Sequence, residues 1–180
     1  MSDAVVGNVV AIRRVRDPFG YLGNMSPHPV SHHGAGGEFA TAEALFQALR
    51  FPRDSQTREE IRMARSPMAA KMHARQNIAL MHVVPRSVQD LENMRFVLSL
   101  KIVGHAEVKN GLLSTGDRYI VEDCSARQTE SGLYWGAALR DREWFGLNTL
   151  GVLWMEMRAR LRATMQSAMG EQEQLRLEGV

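Results

Sequence analysis

The segment from Tyr134 to Arg158 constrains the fold of this chain more than any other. It reads YWGAALRDREWFGLNTLGVLWMEMR and places a Trp-Gly pair in a predicted loop before a Gly-x-Asn-x-Leu-Gly step. Beyond that step, apolar residues recur at helical spacing, at Leu150, Leu153, Met157 and Leu161. This spacing predicts an amphipathic helix that turns one face to a core. Asn148 is its predicted N-cap, because the side chain can accept from the free amides of the first turn.

The rest of the chain alternates short strand-like runs with helical patterns. Strands are predicted at Val5–Ile12, Glu38–Phe39 and Arg118–Glu122. Helix starts are predicted at Thr41, at the capping box from Thr57 to Glu60, at Ser66-Pro67 and at Ser87. The last helix is predicted over 149–169. The expected fold is α+β, a predominantly helical single domain over residues 1–170 with a small β-sheet, followed by a polar, fraying tail at 171–180.

Length and composition exclude several classes of protein. A chain of 180 residues that is 44% hydrophobic is long enough for one domain with a real core. No apolar run approaches the length of a membrane span, and the amino terminus has no signal-peptide pattern. The single cysteine, Cys124, excludes an internal disulfide and a cysteine-based zinc cluster. The sequence therefore predicts a cytoplasmic protein without membrane contact.

The basic residues are strongly biased toward arginine. Of 22 basic residues, three are lysines, and they lie at Lys71, Lys101 and Lys109. Arg stays charged near neutral pH, whereas a desolvated Lys can lose its proton and act as a nucleophile or base. The net charge of +2 implies no broad face for binding nucleic acid.

Polar residues share faces of two predicted helices. Glu43, Gln47 and Arg50 follow one another at i, i+4 and i+7, and Lys71 and Arg75 lie one turn apart. Without further information, Glu43 can be a first-turn glutamate that complements the helix dipole. In the same way, Lys71 can be an exposed lysine paired with Glu59 or Glu60. Lys101 continues an apolar stripe, so its amine must reach solvent or meet a carboxylate.

The two adjacent histidines, His32 and His33, have no acidic or cysteine partners at ligand spacing. The sequence therefore predicts no metal site. It also contains no Rossmann or Walker pattern, so neither a dinucleotide fold nor an NTPase is supported.

Five sequence blocks, in order, resemble the NADAR family of YbiA-like N-glycosidases. They are Tyr21–Met25, Thr41–Phe51, Ala70–Arg75, Lys101 with Leu112–Glu122, and the segment from Tyr134 onward. Together they span about residues 19–161. The chain departs from the family pattern at Gly23, Met25 and Arg50, and in a longer linker from Cys124 to Ser131.

The resemblance implies an enzyme that cleaves the bond between a nucleobase and a phosphate-bearing ribose. Such cleavage builds positive charge on the anomeric carbon, so a nearby carboxylate or nucleophile is needed. Glu43 and Glu122 are the candidate carboxylates. Lys71 is the candidate nucleophile, which would form a Schiff base with the opened sugar. Lys101 could play the same part or orient Glu43.

The resemblance also implies substrate-binding residues. Trp135, beside Gly136, could stack on a base, although a loop tryptophan can also anchor a small cluster. Asn24 and Asn148 could bond sugar hydroxyls or phosphate, and Asn148 could instead only cap its helix. The remaining candidates are Tyr21, Gln47, Arg50, Arg75 and Asp117.

Three functions are consistent with these residues. The first is removal of ADP-ribose from guanine in nucleic acid, favoured by the Arg-rich helices and a pI near 9.0. The second is cleavage of a ribosylaminopyrimidine phosphate of riboflavin biosynthesis. The third is a module that binds ADP-ribose or NAD without catalysis. The two reactions need no cofactor, and water is the cosubstrate.

Overall fold

The computed structural model describes residues 8–177, in which helices dominate and the strands are short. The strands are β1 (Val9–Ile12), β2 (Val30–His32), β3 (Gly37–Phe39), β4 (Tyr119–Glu122), β5 (Ala138–Arg140) and β6 (Glu143–Phe145). The helices are α1 (Ala42–Ala48), α2 (Gln56–Arg62), α3 (Pro67–Gln76), α4 (Val88–Gly104), α5 (Ala106–Ser114), α6 (Glu130–Trp135) and α7 (Thr149–Leu177). The predicted α+β class, mainly helical with small sheets, is confirmed.

The chain divides into two compact units. The first runs from Ile12 to Gly111, and the second joins the described residues up to Ala11 to those from Leu112 onward. No described helix combines the length and the apolar composition that a membrane crossing requires.

Helix α1 is the centre of the first unit. All seven of its residues are buried, and it packs against α2, α3 and α4. The elements packed on it bury large apolar side chains, namely Phe39 of β3, Ile61 of α2, and Met94 and Leu98 of α4. The hairpin of β2 and β3 leads into α1, with Val30 opposite Phe39. A polar side chain on α1 is therefore held in a rigid, water-poor setting.

Helix starts in this unit follow side-chain caps. The hydroxyls of Thr41, Ser66 and Ser87 each accept a bond from the amide three residues later, at 3.2, 3.1 and 3.3 Å. These three predicted starts are confirmed. The predicted capping box at Thr57 is wrong, because Ser55 caps α2 and Thr57 lies inside the helix.

The second unit places a long helix against a short sheet. Strand β4 pairs with β1 and packs on α7, while β5 and β6 form a hairpin. Of the predicted strand Val5–Ile12, the described residues contain β1 at Val9–Ile12, and residues 5–7 lie outside the described part of the chain.

Helix α7 extends past its predicted end at Met169 to Leu177. Residues 171–177, predicted to fray, are helical, and Glu, Gln, Arg and Leu all have favourable helix propensities. Residues 178–180 of the predicted tail lie outside the described range.

Candidate functional site

A line of polar side chains runs along the buried α1. Glu43 lies in the first turn, where the Thr41 cap fixes the helix start, and only 5% of the residue is exposed. The side-chain amide of Gln47 donates to Glu43 Oε1 at 2.9 Å, and Arg50 Nη1 donates to Gln47 Oε1 at 2.9 Å. The predicted i, i+4, i+7 stripe is therefore a continuous hydrogen-bonded chain.

This series of hydrogen bonds ends at a buried carboxylate on α4. Arg50 Nε and Nη2 each donate to one carboxylate oxygen of Asp90 at 2.8 Å. Asp90 is fully buried and also accepts from the backbone amide of Arg86 at 2.7 Å. The two bonds to Asp90 fix the guanidinium, and its remaining nitrogen, Nη1, holds Gln47. We therefore assign Arg50 a positioning role. Its predicted contact with substrate stays a prediction.

Lys71, on α3, approaches Glu43 at the other end of this series of hydrogen bonds. Its Nζ lies 3.6 Å from Glu43 Oε1. The lysine side chain is 48% exposed, whereas that of Glu43 is 6% exposed. A solvent-reachable amine thus stands beside a buried carboxylate. We refer to Glu43, Gln47, Arg50, Lys71 and Asp90 as the Glu43 cluster.

The alternative partners predicted for Lys71 are occupied elsewhere. Both carboxylate oxygens of Glu59 accept from Arg62, at 2.8 and 2.5 Å. Glu60 accepts from the side chain of Gln56 at 2.8 Å. The structure thus pairs the exposed Lys71 with Glu43 instead of with Glu59 or Glu60.

Lys101 is a buried support for the loop before α1. It is completely buried, and its Nζ donates to Gly23 O at 2.8 Å and to Ser26 Oγ at 2.7 Å. The prediction that its amine reaches solvent or a carboxylate did not anticipate these loop partners. A nucleophilic amine must reach the sugar, and this one is enclosed, so the geometry favours Lys71 for that part.

The loop held by Lys101 carries Asn24. The backbone carbonyl of Asn24 accepts from the amide of Glu43 at 3.0 Å, and its side-chain Nδ2 donates to Met94 Sδ at 3.2 Å. Its Oδ1 is buried and has no hydrogen-bond partner within residues 8–177. A buried acceptor of this kind is costly unless a ligand or water completes it, which supports the predicted role of Asn24 in substrate binding.

Two further candidates in this unit are set apart from the hydrogen-bonded chain. Tyr21 packs on Phe19 with ring centroids 6.0 Å apart, and its hydroxyl fills the space above Gly111. Arg75 is exposed one turn beyond Lys71 on α3.

In the second unit, Asn148 joins α7 to β4. Its Oδ1 accepts from the amide of Glu122 at 3.0 Å, and its Nδ2 donates to Ile120 O at 2.8 Å. Helix α7 begins directly after Asn148, as predicted, but the predicted side-chain cap is wrong, because both polar atoms of the side chain bond β4 instead. Asn148 thus fixes the backbone of Glu122, and its predicted substrate bond stays a prediction.

The Trp-Gly pair lies next to this strand. Trp135 ends the short helix α6 rather than lying in a loop, and it packs edge-to-face on Tyr134 at 5.0 Å. A Cβ on Gly136 would lie 2.2 Å from Glu122 O, so only glycine permits this approach. Gly136 is therefore a packing requirement beside the predicted carboxylate, and a part for Trp135 in stacking stays a prediction.

Asp117 is a surface residue. Arg162 Nη1 donates to its carboxylate at 2.6 Å, and this bond lowers the pKa of Asp117. The Asp117 carboxylate is thus paired with Arg162, a residue outside the predicted blocks.

The structure brings together most of the predicted residues of the first unit. Glu43, Gln47, Arg50 and Lys71 form one cluster, which Lys101 and Asn24 join through a loop. Glu122, Gly136 and Asn148 meet in the second unit. Asp90 is the residue of the Glu43 cluster that the sequence did not predict, because its only signal is its place three residues after the Ser87 cap. Among the described residues, no three His, Cys, Asp or Glu side chains are grouped as a metal site would require.

Asp90→Asn is expected to lower the free energy of unfolding by about 2 kcal/mol, because an amide cannot accept both charge-assisted bonds from Arg50. Urea denaturation of the two proteins measures the difference. Asp54→Asn, at an exposed position, is the control and should be nearly neutral. Equal stability of Asp90→Asn and the parent chain would show that the ion pair does not hold the cluster.

The chain is similar in sequence to proteins of known family. The NADAR domain family model matches residues 12–162. N-glycosidase YbiA of Escherichia coli (strain K12) is 34% identical over 145 residues, which cover 81% of this chain and 83% of YbiA. The chloroplastic riboflavin biosynthesis protein PYRR of Zea mays is 27% identical over 172 residues, covering 89% of this chain and 26% of PYRR.

The same fold is found in a solved structure. The NMR structure of the E. coli protein YbiA superposes with a TM-score of 0.72 at 31% identity, covering 92% of this chain and 89% of that one. Similarity of both sequence and fold over most of the chain shows that this protein belongs to the NADAR family.

Proposed function

We propose that this protein is an N-glycosidase that releases a nucleobase or base-like amine from a phosphate-bearing ribose. The observation that carries the proposal is the Glu43–Lys71 pair, a buried carboxylate 3.6 Å from a half-exposed amine. One group can accept a proton while the other attacks carbon, and both are held by packed helices. The names of the relatives support the reaction class.

The reaction is expected to begin with proton transfer from Lys71 to Glu43, since only a neutral amine is nucleophilic. The Lys71 nitrogen then forms a bond to the anomeric carbon. The bond from that carbon to the base nitrogen breaks, and its electron pair leaves with the base, which takes up a proton. Ring opening converts the adduct to a Schiff base. Water then adds to the C=N bond, releasing the sugar and restoring the lysine.

The cluster explains why the carboxylate is correctly placed for this transfer. Glu43 Oε1 faces both Gln47 and Lys71, and Gln47 is held in turn by Arg50 and Asp90. A base fixed by neighbours loses little freedom at the moment of reaction. Asn24 Oδ1 is the group best suited to accept a bond from a sugar hydroxyl.

For the substrate we propose ADP-ribose attached to guanine in nucleic acid. The support is electrostatic. Exposed arginines are numerous in the first unit, at Arg13, Arg14, Arg16, Arg53, Arg65, Arg75 and Arg86. Arginine side chains contact phosphate oxygens whatever the sequence of the nucleic acid.

A ribosylaminopyrimidine phosphate is the second candidate substrate. The observation that favours it is the similarity to PYRR, whose name places that plant protein in riboflavin biosynthesis. The same amine and carboxylate would act on it, because it also joins an amine nitrogen to an anomeric carbon.

Mass spectrometry of the full chain with each substrate, with and without borohydride, separates the candidates. Release of free ADP-ribose from a guanine-modified oligonucleotide supports the first, and cleavage of the small pyrimidine alone supports the second. Binding of ADP-ribose with no turnover of either would instead indicate a module without catalysis, and would overturn the proposal.

A further inference from the structure

Two cavities in the first unit lie beyond the Glu43 cluster and share two arginines. The larger, about 680 Å³, extends between the end of α1 and the loop before α4. The smaller, about 330 Å³, lies against α2. Arg53 and Arg58 line both. We call the larger one the Arg53–Arg58 cavity.

The charge on its walls is unbalanced. Within the described part of the chain, its lining contains Arg53, Arg58 and His82 but no Asp or Glu. Arg58 is only 7% exposed and its Nη1 donates to Phe51 O at 3.4 Å. Burial, and then the like charge of Arg53, lower the pKa of Arg58, an effect that Asp54 in the smaller cavity partly opposes. Because arginine remains charged near neutral pH, an anion between the two would relieve this repulsion.

The other lining residues are apolar or carry neutral polar groups. Leu49, Pro52 and Val84 are apolar, and Gln89 donates through its side-chain amide to Asn93 Oδ1 at 3.2 Å. Apolar walls with a few polar groups, in a volume of this size, are typical of small-ligand sites. The smaller cavity is less suited to an anion, because Asp54 and Glu59 are among its lining residues and Glu59 is paired with Arg62.

The cavity is also tied to the Glu43 cluster. The backbone amides of His82 and Val83, which lie on its wall, donate to Arg50 O at 3.0 and 3.3 Å. From Glu43 to Leu49 the helix rises only about 9 Å. This axial separation is within the length of a dinucleotide, so the source of the phosphate, the cleaved nucleotide or its neighbour, is a question for experiment.

We infer that the Arg53–Arg58 cavity binds a phosphate group of a nucleotide. The substrate arms of the test rest on the proposed function, but binding itself does not. The phosphate can come from the cleaved nucleotide or from the backbone of the nucleic acid that carries it.

The first experiment titrates inorganic pyrophosphate into the full chain and follows the amide signals of Val84, Gln89 and Asn93 by NMR. Saturable shifts are expected, with affinity about tenfold weaker in Arg53→Ala. Arg127→Ala, which removes an exposed arginine of the second unit, is the matched control. Arg53 is exposed, so its removal should leave the thermal unfolding midpoint unchanged. No shift in the parent chain, or equal weakening by both variants, would overturn the inference.

The second experiment identifies the source of the phosphate. If it belongs to the cleaved nucleotide, Arg53→Ala raises KM for free nucleotide substrate about tenfold and leaves kcat unchanged. If the phosphate belongs to the nucleic-acid backbone, the oligonucleotide is the one substrate of the two that Arg53→Ala binds more weakly. The salt dependence of oligonucleotide binding then falls by about one phosphate contact. Pyrophosphate binding by a chain that turns over no substrate would refute the proposed function and leave this site standing.

Discussion

Glu43→Gln is expected to lower kcat by roughly 10³-fold, within the range that loss of a general base produces. The amide can still accept from Gln47, so the buried chain along α1 survives, but it cannot take a proton from Lys71. The ion pair that is lost has a half-exposed partner and contributes under about 1 kcal/mol to stability. Steady-state kinetics and thermal unfolding of the same preparation measure both quantities.

The matched control is Glu60→Gln. Glu60 also accepts from a glutamine one helical turn away, but it is exposed. It should retain parental kcat. If Glu43→Gln keeps more than a tenth of the activity, another group accepts the proton and Glu43 is only structural.

Lys71→Ala is expected to reduce turnover by at least about 10³-fold and to remove the adduct trapped by borohydride. Lys71→Arg should be equally inactive, because arginine keeps the charge but does not form a Schiff base near neutral pH. Affinity for ADP-ribose should fall much less, since the lysine acts on the bond that breaks. Intact-protein and peptide mass spectrometry locate the reduced adduct.

Lys109→Ala is the control for this substitution. It removes the other exposed lysine of the unit, and activity and adduct should both persist. An adduct that survives in Lys71→Ala and maps to Lys101 would reverse the assignment. That outcome would require an opening of the loop around Gly23 and Ser26, which now enclose the amine.

Short-range patterns predicted most helix starts. Thr41, Ser66 and Ser87 act locally, because each hydroxyl bonds an amide only three residues away. The same reasoning failed at Thr57 and Asn148. Ser55 begins α2 two residues before Thr57, and Asn148 bonds a distant strand instead of its own helix. Local propensity cannot register a partner 26 residues away.

The candidate site was predictable in its parts along α1 and α3. Spacing placed Glu43, Gln47 and Arg50 on one face, and family resemblance selected Lys71. The sequence did not show that Glu43 and Lys71 would be partners, nor that Lys101 would be enclosed by a loop. Those relations join residues 28 and 78 positions apart, and only packing of the helices brings them together.

The sequence by itself determined the helix periodicities, the caps at Thr41, Ser66 and Ser87, and the residue types available for glycosidic chemistry, because these depend on neighbours within one or two turns. Only the tertiary structure decided which carboxylate meets which amine. It also decided that Asp90 anchors the hydrogen bonds along α1 through Arg50. The physical reason for these pairings is burial, because a charged group that is removed from water is stable only beside a partner that the fold brings near it. The tertiary structure also brings the exposed Arg53 and the buried Arg58 to one cavity.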